Sequence, residues 1–265
     1  ATASQRSPME GPPVRLGHWR HCSRAAAKLL ISGALSTGCI LHLPDKLEFY
    51  SSCNDQGQRE TRNHMIKLDV NDTNARIALY GGVFDPVHTG HLSVARAALK
   101  EASLDAVIFI PAARSPHKKE GPIADDEARV SMLEAAISEE SRFRIDCLEM
   151  ERGGVSFSVD TASHYSRSFP GAKLYWILGA DQWAQLPRWH RIEAFVELVD
   201  FLVLARPGYQ AVPPDIPGIN YQIVPASLQT ESSSEIRRRL KHRLSIKGFV
   251  DPVVEAFILS HNLYE

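Results

Sequence analysis

The residues best spaced for chemistry form one run, Gly81-Gly82-Val83-Phe84-Asp85-Pro86-Val87-His88-Thr89-Gly90-His91. Gly81 and Gly82 let the backbone approach a ligand without a Cβ in the way. Asp85-Pro86 makes a turn. His88 and His91 straddle Gly90 where the next helix should open, and two imidazoles three residues apart at a helix start can point at one ligand. A helix start also offers free N–H groups and a positive dipole end, which suits a phosphate. As donors, the two histidines could stabilise charge that grows on transferring phosphate oxygens. Two other readings compete: a glycine turn with incidental histidines, and metal ligation by His-x-x-His. The order of buried strand, Gly-Gly, Phe-Asp-Pro and His-Thr-Gly-His favours the phosphate reading. The run is neither a Walker loop, since no Gly-Lys-Ser/Thr follows, nor a GxGxxG fingerprint.

Three further segments carry polar groups suited to anions. In Glu231-Ser232-Ser233-Ser234-Glu235-Ile236-Arg237-Arg238-Arg239-Leu240 the serines can cap a helix and donate to a phosphate. Arg237 can clamp phosphate oxygens, while Arg238 and Arg239 read as a solvated basic face. Arg114-Ser115-Pro116-His117-Lys118-Lys119 follows an apolar run; Lys118 is its anion-binding candidate, against a plain basic loop. Ile177-Leu178-Gly179-Ala180-Asp181 ends another apolar run. Gly179 permits close approach, and Asp181 could accept from ribose hydroxyls or cap the following helix.

The elements that must position these groups are legible from residue 75 onward. Strands are expected at Ile77 to Tyr80, Ala106 to Ile110, Phe143 to Met150 (near an edge, because it alternates), Lys173 to Leu178, Phe201 to Leu204 and Tyr221 to Val224. Helices are expected at Leu92 to Leu99, Glu127 to Ile137, Val159 to Tyr165, Ile192 to Leu198, Ser233 to Leu244 and Pro252 to His261. Alternating strands and helices imply an α/β fold, with a parallel sheet covered by helices on both faces. Ligands bind beyond the carboxyl ends of such strands. The loops after Tyr80, Ile110, Leu178 and Val224 are therefore the places to look.

Residues 1–72 show no sustained periodicity, which leaves 73–265 as the folded domain. Up to Pro44 the chain is rich in Arg, Ser and Ala, with Glu10 as its sole acid. It reads as an unstructured leader in preference to a targeting peptide. The apolar fraction of 44% suits a buried core. A net charge of -1 gives no global signal for nucleic acid or membrane. The apolar run from Leu29 to Leu43 is interrupted by Ser, Thr, Gly and His and is too short to span a bilayer. Cys22, Cys39, Cys53 and Cys147 form no CxxC pair or zinc spacing, which points to a reducing compartment, the cytoplasm, and to a structural Cys147.

Gly-Gly-Val-Phe-Asp-Pro-Val-His-Thr-Gly-His-Leu resembles the signature of the HxGH nucleotidyltransferases, and within them the bacterial nicotinate-nucleotide adenylyltransferases. The resemblance runs from about residue 76 to the end of the sequence. It implies a Rossmann-like fold with C-terminal helices. It implies adenylyl transfer from Mg²⁺-ATP to nicotinate mononucleotide, giving deamido-NAD and pyrophosphate. His88, His91, Lys118 and Arg237 would then be catalytic. ATP would meet Gly81, Gly82, Phe84, His88, His91, Gly179, Asp181, Ser233, Ser234 and Arg237. Ser156-Phe157-Ser158-Val159-Asp160-Thr161 resembles the family's Ser-Tyr-Thr-x-x-Thr, and Leu186-Pro187-Arg188-Trp189 its Leu-x-x-Trp. Phe157, Ser158 and Trp189 are thus candidates for the pyridine ring and its carboxylate, with a core role as the alternative for Trp189. Arg206 to Tyr209 resembles the segment that shapes the rim. Glu231 departs from the family's apolar residue and Ser234 from its Thr. Mg²⁺ would be held by phosphate oxygens and water, with no protein ligand. Nicotinamide mononucleotide, phosphopantetheine and cytidylyl transfer remain alternatives, as does a nucleotide-binding regulator on the same fold. The oligomeric state is open.

Overall fold

The computed structural model describes residues 74–116, 121–205, 212–225 and 232–265. Six strands form one sheet: β1 (Arg76–Gly82), β2 (Ala106–Pro111), β3 (Phe143–Ile145), β4 (Lys173–Gly179), β5 (Asp200–Ala205) and β6 (Tyr221–Pro225). Their order is β3-β2-β1-β4-β5-β6, and every neighbouring pair is parallel. The expected α/β, Rossmann-like architecture is what forms. The strand order reverses direction between β1 and β4, where such sheets open a crevice for ligands.

Side chains alternate along each strand and build two cores. Ala78, Val107, Phe109, Tyr175, Ile177, Leu202 and Leu204 face one side. They pack with helices α1 (Thr89–Glu101), α2 (Asp126–Ile137), α7 (Ser233–Lys241) and α8 (Pro252–Ser260). Ile77, Leu79, Ile108, Ile110, Leu174, Trp176, Leu178, Phe201 and Val203 face the other side. They meet helices α4 (Ser158–Ser168), α5 (Ala180–Trp183) and α6 (Ile192–Val196), with a 3-10 turn at Leu186–Arg188. Burial on both faces explains why the central strands read as continuous apolar runs.

Several element ends differ from expectation. Phe143 to Met150 is strand only to Ile145, though β3 is indeed an edge. Asp146 turns the chain: its carboxylate accepts from the Leu148 amide at 2.9 Å. Helix α3 (Leu148–Arg152) follows at once. Leu148 packs inward and its neighbour Glu149 is buried as well. Helix α7 stops at Lys241 rather than Leu244, with Arg243 in the left-handed region at φ 54. Helices α6 and α8 end at Val196 and Ser260, short of the expected Leu198 and His261. Among the described residues no helix is long and apolar enough to cross a membrane, and Cys147 is a buried free thiol. His117, Lys118, Glu231, Arg206 to Tyr209 and residues 1–72 lie outside the described residues.

Candidate active site

A cleft of about 270 Å³ opens at the carboxyl end of the sheet, beside the β1–β4 reversal. Three of the four strand-end loops singled out from the sequence reach it, and the helix beyond the fourth supplies two residues. Tyr80 to Asp85 come from β1 and its loop; Ala112, Ser115 and Pro116 follow β2; Gly179 and Gln182 follow β4; Ser233 and Arg237 stand on α7, beyond β6. Of the site candidates, Gly81, Gly82, Phe84, His91, Ser158, Gly179, Trp189, Ser233 and Arg237 line it. His88, Phe157, Asp181 and Ser234 do not.

The two histidines occupy different layers. His91 faces the cleft, and its Nδ1 accepts from the His88 backbone amide at 3.2 Å. An imidazole that accepts at Nδ1 carries its proton on Nε2 when neutral, so His91 is set up as an Nε2 donor. His88 is buried and its ring lies against His91, with centroids 3.7 Å apart. Burial pushes the His88 pKa down to about 4, so at neutral pH it is an uncharged platform. Its Nδ1 has no hydrogen-bond partner among the described residues. Phe84 meets the His91 ring edge-on at 5.0 Å. It sits at φ 49, which turns the backbone sharply out of β1.

The first and late motifs clasp each other. Ser232 caps α7 by accepting from the Glu235 amide at 3.1 Å. Ser233 then donates to the Pro86 carbonyl at 2.9 Å, and Arg237 donates from Nη1 to the Asp85 carbonyl at 2.6 Å. Ser234 is exposed, does not line the cleft, and accepts weakly from Arg237 Nη2 at 3.4 Å. Arg238 pairs with Glu235 on the exposed face, as its basic-face reading expects.

Gly81 and Gly82 are needed for a reason other than ligand approach. A Cβ on Gly81 would lie 2.8 Å from the Trp176 ring, and one on Gly82 would lie 2.8 Å from Phe84. At Gly179 an added Cβ meets nothing within 4 Å, so that glycine alone leaves its space to the cleft. Asp181 is exposed in the first turn of α5 and is not the cap, since Gly179 holds that position. On the opposite wall Ser158 opens α4, whose N-cap Phe157 supplies no side-chain bond. The Phe157 ring packs on His190 at 4.3 Å. Trp189 is half-buried, lines the cleft and stacks on Phe195 at 5.9 Å.

A cytidylyltransferase-like family model matches residues 79–239. The protein described as "Probable nicotinate-nucleotide adenylyltransferase" from Opitutus terrae is 39% identical over 190 residues, spanning 71% of this chain and 97% of that one. A protein of the same description from Thermus thermophilus is 40% identical over 189 residues, spanning 71% of this chain and 99% of its own length. This chain belongs to the nicotinate-nucleotide adenylyltransferase family. The solved Plasmodium falciparum nicotinic acid mononucleotide adenylyltransferase complexed with NaAD shares the fold, with TM-score 0.58 and 21% identity over 72% of this chain and 97% of that one.

For a nicotinate-nucleotide adenylyltransferase, this cleft includes groups that motif spacing did not single out. Trp176, Gln182, Glu149 and Ser156 also line it. Glu149 is buried; burial raises its pKa, while hydrogen bonds from Thr161 and Ser156 pull it down. Arg129 is fully buried behind the site and donates at 2.8 Å to both the Val83 and Ala112 carbonyls, holding the loops after β1 and β2 together. Among the charged and polar residues of α2 (Asp126, Glu127, Ser131 and Glu134), nothing in the sequence sets Arg129 apart. Among the described residues no three His, Cys, Asp or Glu side chains converge as a metal site. The described cleft therefore offers a divalent cation no cage of its own.

Proposed function

We propose that this protein transfers the adenylyl group of ATP to nicotinate mononucleotide, releasing pyrophosphate and forming deamido-NAD. One observation carries the reading: His91 and Arg237 line a single cleft with Ser158 and Trp189. A phosphate-facing wall thus stands opposite an aromatic and hydroxyl-bearing one. The names of the relatives support the same substrate pair.

The mononucleotide phosphate attacks the α-phosphorus of ATP in line. The P–O bond to the β-phosphate breaks, and pyrophosphate leaves with the electron pair. The nucleophile is already an anion, so no general base is required. The protein's work is to hold two anions together and offset their repulsion. His91 Nε2 donates to the phosphate oxygens on which charge grows, with His88 holding its ring from behind. Arg237 grips the departing phosphates, and Lys118 joins it from the loop after β2. Gly179, whose Cβ space is open, accommodates the nucleoside of ATP. Mg²⁺ brought with ATP would be held by phosphate oxygens and water and would supply positive charge to the departing pyrophosphate. Trp189 stacks on the pyridine. Ser158 and the first-turn amides of α4 receive its carboxylate.

The test is pyrophosphate release by the purified protein with ATP and, in turn, nicotinate mononucleotide, nicotinamide mononucleotide and phosphopantetheine. Turnover with the first is expected to exceed the others. Turnover confined to phosphopantetheine would overturn the acceptor while leaving the chemistry intact.

A further inference from the structure

We infer that Glu149 is a positioning residue for the acceptor: it fixes the Thr161 hydroxyl, with Ser156 packed beside it, and so holds the wall that admits the mononucleotide. This deepens the proposed function and rests on it. Glu149 is 3% exposed, yet its side of α3 reaches the cleft. Thr161 donates from Oγ1 to Glu149 Oε1 at 2.6 Å. Ser156 stands beside the same carboxyl and favours its charged form. All three side chains are buried.

The cluster reaches further through Ser156. The Ala113 amide donates to Ser156 Oγ at 3.2 Å, and the Ser156 amide donates to the Arg114 carbonyl at 2.9 Å. The carboxyl therefore ties α3 to the start of α4, and Ser156 beside it ties that segment to the loop after β2. Glu149 also sets hydroxyl polarity. Thr161 directs its proton at Glu149, while the Ser156 oxygen accepts from Ala113. The Thr161 hydroxyl has no proton left for a ligand anion. The donors for such an anion come from Ser158 and the start of α4, which Glu149 holds in place through Thr161. The Ser156 to Thr161 segment, which from sequence supplied only Phe157 and Ser158 as ligand contacts, thereby gains a use for its first and last residues.

Removing the carboxyl should loosen the acceptor wall and leave the ATP wall intact. Kd values are measured by calorimetry for nicotinate mononucleotide and for a non-hydrolysable ATP analogue, alongside steady-state pyrophosphate release. In Glu149→Ala the mononucleotide Kd and KM should rise about 10-fold or more, with ATP values within about 2-fold and kcat within about 3-fold. Thr161→Val should raise the mononucleotide values about 3-fold to 10-fold in the same selective way. Glu149→Gln keeps an oxygen for Thr161 and should recover most of the affinity. Unchanged mononucleotide binding in Glu149→Ala, or equal loss for both substrates, overturns the inference. If Glu149→Ala does not fold, Thr161→Val decides, and wild-type affinity there is the overturning result. Wild-type turnover is measured first and judges the proposed function alone. Should another acceptor prove to be the substrate, the variants are read on that acceptor.

Discussion

The Tyr264 hydroxyl donates to Asp85 Oδ1 at 2.7 Å, joining residues 179 apart in sequence. Asp85 is 4% exposed and also accepts from the amides of Ile123 and Ala124, at 2.8 and 3.1 Å. Its carbonyl holds Arg237. The end of the chain is thus tied to the loop that carries the histidines and to the arginine of the late motif. Burial and the Asp85 carboxylate raise the Tyr264 pKa, so its proton stays in place to donate. Tyr264→Phe should cost about 1 kcal/mol of stability, and Asp85→Ala about 2 kcal/mol, because the latter leaves the buried Ala124 amide without its acceptor and also frees the Ile123 amide and the Tyr264 hydroxyl. Urea unfolding of the two variants checks the order. Equal stability of Asp85→Ala and wild type would remove Asp85 from this role.

His91→Ala should lower kcat about 100-fold or more while changing the KM for ATP far less, since a donor aimed at developing charge acts mostly in the transition state. His88→Ala should lower kcat by less, because His88 acts by orienting the ring it touches. Steady-state kinetics on both variants decide. An unchanged kcat in His91→Ala would take that histidine out of the mechanism.

Much of this arrangement is legible in the sequence, and the limits have physical causes. The apolar runs at Ile77, Ala106, Lys173 and Phe201 mark strands because both faces of the sheet are covered. The HxGH run and the late arginine are legible because their spacing is local, and the fold does bring Ser233 and Arg237 onto that run. Glu149, Trp176 and Arg129 are different. Their roles depend on partners brought in by the fold, such as Thr161, Gly81 and the Val83 carbonyl. Short-range periodicity carries no trace of such contacts. Asp146 is intermediate: a turn-former in an alternating run, it was outweighed by the pattern around it and ended the strand early.

Gly82→Ala should destabilise the protein by about 1–3 kcal/mol, as expected for overpacking. The new methyl would meet Phe84 at 2.8 Å, and Phe84 in turn contacts His91, so kcat should fall as well. Gly179→Ala is the control. Its methyl meets no protein atom within 4 Å, so stability should hold within about 0.5 kcal/mol while the KM for ATP rises. Thermal melts with kinetics distinguish the two. A stable, fully active Gly82→Ala would show that Phe84 yields freely.

Acid should weaken this fold through His88. Its pKa falls from 6.5 to about 4 on folding because burial disfavours the charged ring. Between those values the unfolded chain binds a proton that the native state does not, so stability rises with pH. The contribution is fully present above about pH 6.5 and is lost as pH falls through 4, to a total of about 3 kcal/mol. Glu149 acts in the opposite sense: its raised pKa means the native state holds a proton that the unfolded chain has released, so its contribution falls as pH rises. His88→Asn, which retains a residue suited to the helix start, should remove the first slope and leave the second. Chemical denaturation of both proteins from pH 7.5 to pH 4.5 measures the difference directly. Parallel curves would mean that His88 is already solvated, and protonated, in the native protein.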